Sequence, residues 1–186
     1  MPRGSFSISG KGTAIEYRGL PELSRALARD GIAWRKVQDA AVRATVQNCQ
    51  HLLGRAVQLA PIREGTLRAS GYASVIAGGK PVASFGSKAF EAASGRGIAK
   101  GRLPQAAAQG VEVDFAVVAR SGGAEGRGDW IVGKVGFGVP YAQRQHEETE
   151  WVHPRGGQAL YLSEPIEAHG NAYLHNLERN LRRSFR

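Results

Sequence analysis

The spacing of apolar residues predicts one long helix in the first third of the chain. Starting at Trp34, they recur every three or four positions, as on a helix with one buried face. The stripe consists of Val37, Ala41, Ala44, Leu52, Ala56 and Leu59, widened by Val42, Val46, Cys49 and Leu53. Pro61 ends the helix, because proline lacks an amide proton and its ring pushes Ala60 out of the helical region.

Alternation of apolar and polar residues predicts the strands of a small antiparallel sheet. One strand follows the long helix, around residues 72–76. Residues 111–118 and 130–137 also alternate, and they predict a hairpin with a long tip. Near the N-terminus, residues 6–9 and 14–17 predict either a second hairpin or one strand with an arm.

Two more helices are predicted, and with them the fold class. A short helix carries Leu20, Leu23 and Leu27 on one face, and residues 165–185 form a C-terminal helix. We expect an α+β fold in which the long helix and the C-terminal helix pack on the sheet. Residues 1–32 are then an N-terminal arm with the short helix, and residues 33–186 are a single domain.

A change of composition predicts a flexible basic insertion at residues 77–110. This segment is rich in Gly, Ala and Ser and follows neither the helical nor the strand period. Its basic residues, opposed only by Glu91, are Lys80, Lys88, Arg96, Lys100 and Arg102. Long unstructured segments inside a domain are usually functional, or become ordered only against a partner.

The charge of the chain points to an acidic partner without identifying it. Its 186 residues include 25 Lys+Arg and 16 Asp+Glu, a net charge of +9. A second basic cluster, Arg182, Arg183 and Arg186, lies at the end of the C-terminal helix, where part of it can complement the helix dipole. Both clusters suit nonspecific contact with DNA phosphates or with acidic protein faces. The alternative is that the two basic clusters only keep the protein soluble.

The sequence offers no pattern that predicts an enzyme, a cofactor or a metal. His146, Glu147, Glu148 and His153 do not form the His-Glu-x-x-His spacing, and no serine lies in a Gly-x-Ser-x-Gly motif. Cys49 is the single cysteine, so no internal disulfide can form. No stretch approaches the roughly 18 apolar residues of a membrane span. We therefore expect a soluble protein made in a reducing cytoplasm. A hydrolase that uses His146 and Glu147 is the weakest functional hypothesis.

One segment resembles a known family. The run Ala60-Pro61-Ile62-Arg63-Glu64-Gly65-Thr66-Leu67-Arg68-Ala69-Ser70 resembles the "apolar-Ala-Pro-x-Arg-x-Gly-x-Leu-Arg-x-Ser" signature of tail-completion and neck proteins of tailed bacteriophages, also described as minor capsid or head–tail joining proteins. Three elements follow in the family's order: Val139-Pro140-Tyr141-Ala142, the pair His146-Glu147, and Pro165 before the last helix. The chain departs from the family in residues 77–110 and in an enlarged loop at residues 153–158.

The resemblance implies a structural virion protein with no enzymatic activity. It implies a homo-oligomeric ring of about six copies at the head–tail junction, around the DNA channel. Its partners would be further copies, the connector or head-completion protein, and the tail terminator or tail tube proteins. Alternatives are a minor capsid or tail terminator component elsewhere in the virion, and a nonspecific basic DNA-binding protein of the host.

Overall fold

Six strands and four helices make up the described part of the chain in the computed structural model, which covers residues 5–9, 12–17, 34–62, 65–86, 111–118 and 130–184. The strands are β1 (Ser5–Ser9), β2 (Gly12–Tyr17), β3 (Gly71–Ala77), β4 (Lys80–Gly86), β5 (Val111–Val118) and β6 (Trp130–Phe137). The helices are α1 (Trp34–Leu59), α2 (Thr66–Ala69), α3 (Ala142–Glu147) and α4 (Ser163–Ser184). The predicted α+β class is confirmed.

The strands form one sheet in the order β1-β2-β5-β6-β3-β4. The predicted β5–β6 hairpin and the N-terminal β1–β2 hairpin are both present as antiparallel pairs. β3 pairs antiparallel with β6, from Gly71 opposite Phe137 to Ala77 opposite Ile131. Among the described strands, β2 and β5 are parallel neighbours, a pairing that the sequence did not predict. This pair joins the N-terminal hairpin to the rest of the sheet.

Helix α1 begins and ends where its sequence predicts. Its apolar stripe is buried from Val37 to Ala56, and the buried face also includes Thr45, whose hydroxyl donates to the carbonyl of Ala41 at 2.9 Å. Leu52 is 0% exposed. Leu59, in the last turn of α1, is partly buried and packs against the core, as do Val42 and Val46.

The hydrophobic core lies between the two long helices and one face of the sheet. Helix α1 contacts α4, β3 and β6. Its leucines pack with Ile166, Tyr173, Leu177 and Leu181 of α4 and with Val75, Val135 and Phe137 of the sheet. These four residues of α4 form its buried face, and Leu174 beside them is partly buried.

Hydrogen bonds of asparagine side chains fix the alignment of α1 and α4. Asn48 donates through Nδ2 to the carbonyl of Tyr173 at 3.2 Å. The same side chain accepts through Oδ1 from Asn176 at 2.9 Å. Such bonds depend on position along both helices, so they specify one alignment, whereas apolar packing alone tolerates several.

The opposite face of the sheet carries a charged group centred on Glu112. Glu112 accepts a hydrogen bond from the Tyr72 hydroxyl at 2.7 Å and pairs with the Lys134 ammonium at 2.6 Å. The three side chains come from adjacent strands β3, β5 and β6. Both carboxylate oxygens of Glu112 therefore have a partner on a neighbouring strand.

The predicted insertion at residues 77–110 is wrong in its first ten positions. Lys80–Gly86 is strand β4, which pairs with β3 through a two-residue turn at Gly78 and Gly79. Both turn glycines have positive φ, 55° and 75°, as a two-residue hairpin turn of type I′ requires. Residues 87–110, like the predicted short helix at Leu20 to Leu27, lie outside the described residues.

Candidate interaction surface

The signature turn, residues 60–70, follows the end of α1, and its Arg68 side chain binds carbonyl groups at that helix end. Arg68 donates through Nε to the carbonyl of Ala60 at 2.9 Å and through Nη2 to that of Gln58 at 2.8 Å. Carbonyls in a last helical turn have no partner within the helix, and a guanidinium there also complements the negative helix end. Arg68 therefore has a structural role in this turn.

The other signature residues of the turn are also structural. Pro61 and Leu67 are buried, and Gly65 precedes α2. Ser70 donates to the carbonyl of Leu67 at 2.7 Å and accepts, through its own carbonyl, from the Gly138 amide at 3.1 Å. That last bond joins the turn to the end of β6. Arg63 lies outside the described residues.

A loop at residues 148–162 closes over the signature turn. The Gln158 amide donates to the carbonyl of Leu59 at 2.8 Å, and the Ile62 amide donates to that of Gly156 at 3.0 Å. Gly157 lies so close that a Cβ added there would be 2.4 Å from the Pro61 Cα. The enlarged loop and the signature turn are thus one continuous piece of structure.

The Val-Pro-Tyr-Ala element ends on the surface and leads into α3. Pro140 and Tyr141 are exposed, whereas Ala142 is buried and accepts a hydrogen bond through its carbonyl from the Tyr161 hydroxyl at 2.8 Å. Burial raises the pKa of Tyr161 well above its usual range, so this hydroxyl stays a donor. The element therefore anchors residues 148–162 to α3.

His146 and Glu147 have different environments. His146 is buried, and its Nε2 accepts hydrogen bonds from the Ser163 hydroxyl at 3.2 Å and the Ser163 amide at 3.4 Å. Glu147 is exposed and bonds Gln143 at 3.0 Å. Burial lowers the pKa of His146, although the Glu147 charge raises it in part. His146 therefore acts as a neutral acceptor at the start of α4.

We expect the protein to lose stability in mild acid. The pKa of His146 is lowered by burial, and that of His51 by burial, by His169 and by Arg55. Below about pH 6.5 the unfolded chain then binds more protons than the folded one, so the free energy of unfolding falls with pH. Urea unfolding at about pH 7.5 and 5.5 measures this, with His146→Gln reducing the difference and the exposed His175→Gln as control. Equal free energies at the two pH values would contradict it.

Next to the signature turn lies an exposed apolar groove. This groove, of about 750 Å³, is lined by Pro61, Ile62, Gln145 and residues 150–155. Val152 is 86% exposed, Trp151 38% and Ile62 37%. The Arg144 guanidinium lies 4.9 Å from the centre of the Trp151 ring and holds the ring beside the groove. A tryptophan, a valine and an isoleucine left together on a surface are typical of a protein-binding site.

The predicted basic residues lie on separate elements. Lys80 is exposed at the start of the edge strand β4. Arg182 and Arg183 lie on α4 beside Arg179 and His175, around a surface depression of about 780 Å³ that also includes Glu178. We call His175, Arg179, Arg182 and Arg183 the basic face. Lys88, Arg96, Lys100, Arg102 and Arg186 lie outside the described residues.

The apolar groove was not predicted from the sequence. Trp151 and Val152 follow three glutamates and precede a proline, which reads as a polar loop. The groove exists only because residues 150–155 fold back onto Pro61, about ninety positions earlier. The one available signal was the Trp151-Val152 pair, two large apolar residues in an otherwise polar segment.

In the part of the chain that the structure describes, no cluster of His, Cys, Asp or Glu could hold a metal ion. Within that part, every helix is also too short or too polar to cross a membrane. Comparisons of the chain with protein-family models, with curated proteins and with solved structures found no match.

Proposed function

We propose that this chain is a structural protein of a tailed-phage virion, which forms a ring at the head–tail junction and joins the connector to the tail around the DNA channel. One observation carries the proposal. The segments that resemble the neck-protein family lie close together in the fold: Ser70 of the signature turn bonds Gly138, directly before Val139, and His146 bonds Ser163, two residues before Pro165. Residues whose shared order is tied to one connected structure support a common fold better than scattered matches do.

The surfaces of the domain also support an assembly role. The signature residues Pro61, Leu67, Arg68 and Ser70 shape the backbone, and beside them lies the apolar groove. The groove combines large apolar side chains with polar and charged ones, as protein-binding surfaces do. A minor capsid or tail terminator position in the virion fits the same surface.

A nonspecific DNA-binding protein is the second candidate. It is favoured by the basic face of α4, where Arg179, Arg182 and Arg183 are exposed within two helical turns. Arginines spaced along one helix face can contact phosphates without reading bases. We rank it second because the apolar groove has no role in phosphate binding.

Deleting the gene tests the proposed function directly. In the phage or prophage that encodes the chain, an in-frame deletion is expected to give heads and tails that accumulate unjoined, and a plasmid copy is expected to restore infectious particles. Electron microscopy of the lysate and plaque counts measure this. Infectious particles that lack the chain would contradict the proposal.

Reversing the charges within residues 88–100 tests whether this basic segment faces DNA or protein. We expect Lys88→Glu, Arg96→Glu and Lys100→Glu together to leave heads and tails unjoined, because the segment then repels an acidic protein face. Joined particles that fail to retain or eject DNA would instead place the segment at the channel. Lys36→Glu with Arg43→Glu, two exposed positions on α1, is the control for net charge.

A further inference from the structure

Glu150 lines the apolar groove and two more glutamates shortly precede it in the sequence, although the chain as a whole is strongly basic. Glu147, Glu148 and Glu150 are exposed in a run of four residues directly before Trp151. We call these three glutamates the acidic rim. Arg144 lies 3.9 Å from Glu148 and also contacts Trp151, and Arg155 lines the far side of the groove. The groove thus presents apolar side chains with carboxylates on one flank.

The basic face carries the opposite charge on the same helix that starts beside the groove. Arg179 and Arg183 are four positions apart on α4 and are both exposed. His175 continues the row one turn earlier, and Glu178 is the acidic residue among them. This face has alkyl stems as well as charges, so it can cover apolar surface while its guanidinium groups bind carboxylates.

Most of the length of helix α4 separates the acidic rim from the basic face. Ser163, the first residue of α4, bonds His146 of α3, whereas Arg179 lies sixteen positions further along the helix. At about 1.5 Å per residue this is roughly 24 Å. A straight, packed helix cannot bend back over that distance, so the basic face of one chain cannot reach its own acidic rim. The basic face can therefore pair with an acidic rim only on another molecule.

We propose that the apolar groove with its acidic rim binds the basic face of α4 of a second copy of this chain. Glu148 and Glu150 pair with Arg179 and Arg183 of the next copy, and Val152 and Trp151 pack on the arginine stems. Since the two surfaces differ, the contact is head-to-tail, the kind that closes a ring when the rotation between copies fits. The inference rests on the proposed function, because a ring needs such a pair of faces.

Charge complementarity favours a second copy over other occupants. A DNA strand would be repelled by the acidic rim, and an acidic protein would leave the carboxylates unpaired in a shared interface. A free peptide with basic and apolar residues would fit, but the chain itself already supplies that surface on α4. Each copy then covers one exposed apolar groove and one exposed basic face.

Charge reversal with mutual rescue tests the contact on the purified full-length chain. Variant A carries Glu148→Arg and Glu150→Arg, and variant B carries Arg179→Glu and Arg183→Glu. At about 1 mM, where even a −4 kcal/mol contact is half occupied, the unmodified chain is expected to self-associate in sedimentation and native mass spectrometry. Variants A and B are each expected to raise the dissociation constant at least about tenfold, because like charges then meet.

The mixture of the two variants makes the test specific. Variant A then has two basic surfaces and variant B two acidic ones, so an equimolar mixture is expected to form alternating A–B assemblies. Val152→Ser is expected to weaken association, while Val82→Ser on β4 leaves it unchanged. Lys36→Glu with Arg43→Glu controls for net charge. The inference is overturned if the unmodified chain is monomeric at about 1 mM. It is also overturned if variants A and B associate as strongly as the unmodified chain, or if their equimolar mixture does not regain association.

The two proposals fail in different experiments. If gene deletion leaves heads and tails unjoined but variants A and B each still support infection and self-association, the phage role stands and this contact is wrong. If A and B rescue each other in solution but deletion has no effect on particles, the contact stands and the assigned function is wrong.

Discussion

Leu52→Ala is expected to lower the free energy of unfolding by about 2–5 kcal/mol. Leu52 is 0% exposed in α1 and belongs to the core cluster between α4 and the sheet. Truncation removes buried methyl groups and leaves a cavity that the close-packed helices and strands can only partly fill. Urea denaturation monitored by circular dichroism measures the change. An unaltered unfolding midpoint would show that this face of α1 is not the buried one.

Leu59→Ala and Leu177→Ala are the matched comparisons. Leu177 is 3% exposed in α4, so its truncation is expected to cost an amount in the same range. Leu59 lies on α1 and loses the same atoms, but it is only partly buried. Its truncation is therefore expected to cost less than that of Leu52, and equal losses at positions 52 and 59 would contradict the described burial.

Gly157→Ala is expected to disrupt the loop that closes over the signature turn. Gly157 has a φ of 93°, in the left-handed region, where a side chain costs about 1–2 kcal/mol. An added Cβ would also lie 2.4 Å from the Pro61 Cα and 2.6 Å from the Ala60 carbonyl oxygen, so the backbone must move. Forced shifts of this kind cost about 1–3 kcal/mol more.

Gly156→Ala separates the two effects. Gly156 has nearly the same φ, 91°, but a Cβ added there meets nothing within 4 Å. We expect Gly156→Ala to lose only the conformational part, about 1–2 kcal/mol, and Gly157→Ala to lose clearly more. Urea midpoints of the two variants measure the difference. Equal losses would show that residues 156–157 do not press against the turn.

Helix α1 could be predicted from sequence because its signals are local. The apolar period from Val37 onwards and the stop at Pro61 each depend only on neighbouring residues. Strand β3 and the β5–β6 pair were found for the same reason, since alternation marks a half-buried strand. The helix boundary at Leu59 and the strand start at Gly71 lie close to the predicted ones.

Strand β4 was missed because it lies at the edge of the sheet. Lys80, Pro81 and Val82 are all exposed. Of its apolar side chains only Ala83 and Phe85 are partly buried, so the alternation is too short to predict a strand. Lysine and proline are also the residues that natural proteins place on edge strands. The pair Gly78-Gly79 between two apolar segments was a usable signal, because consecutive glycines favour a two-residue hairpin turn.

The candidate site could be predicted only in part. The residues of the signature turn were found from their resemblance, but their individual roles depend on contacts across the chain. Arg68 reads as a surface charge and instead binds the carbonyl of Ala60. His146 lies beside two glutamates, which suggested a polar loop, and is buried against Tyr161 at 5.1 Å between ring centres. The spacing of neighbouring residues predicts neither the contact of Arg68 nor the burial of His146.

The parallel pairing of β2 with β5 has a consequence for the order in which the protein folds. Ala14 pairs with Asp114 and Tyr17 with Val117, one hundred positions apart in each case. Contacts this distant close late, because a large loop must be ordered before they form. During synthesis β1 and β2 leave the ribosome before β5, which is translated about 5–20 s later at typical elongation rates. For that interval β2 lacks its parallel neighbour, so the β1–β2 hairpin can join the rest of the sheet only once β5 has been made.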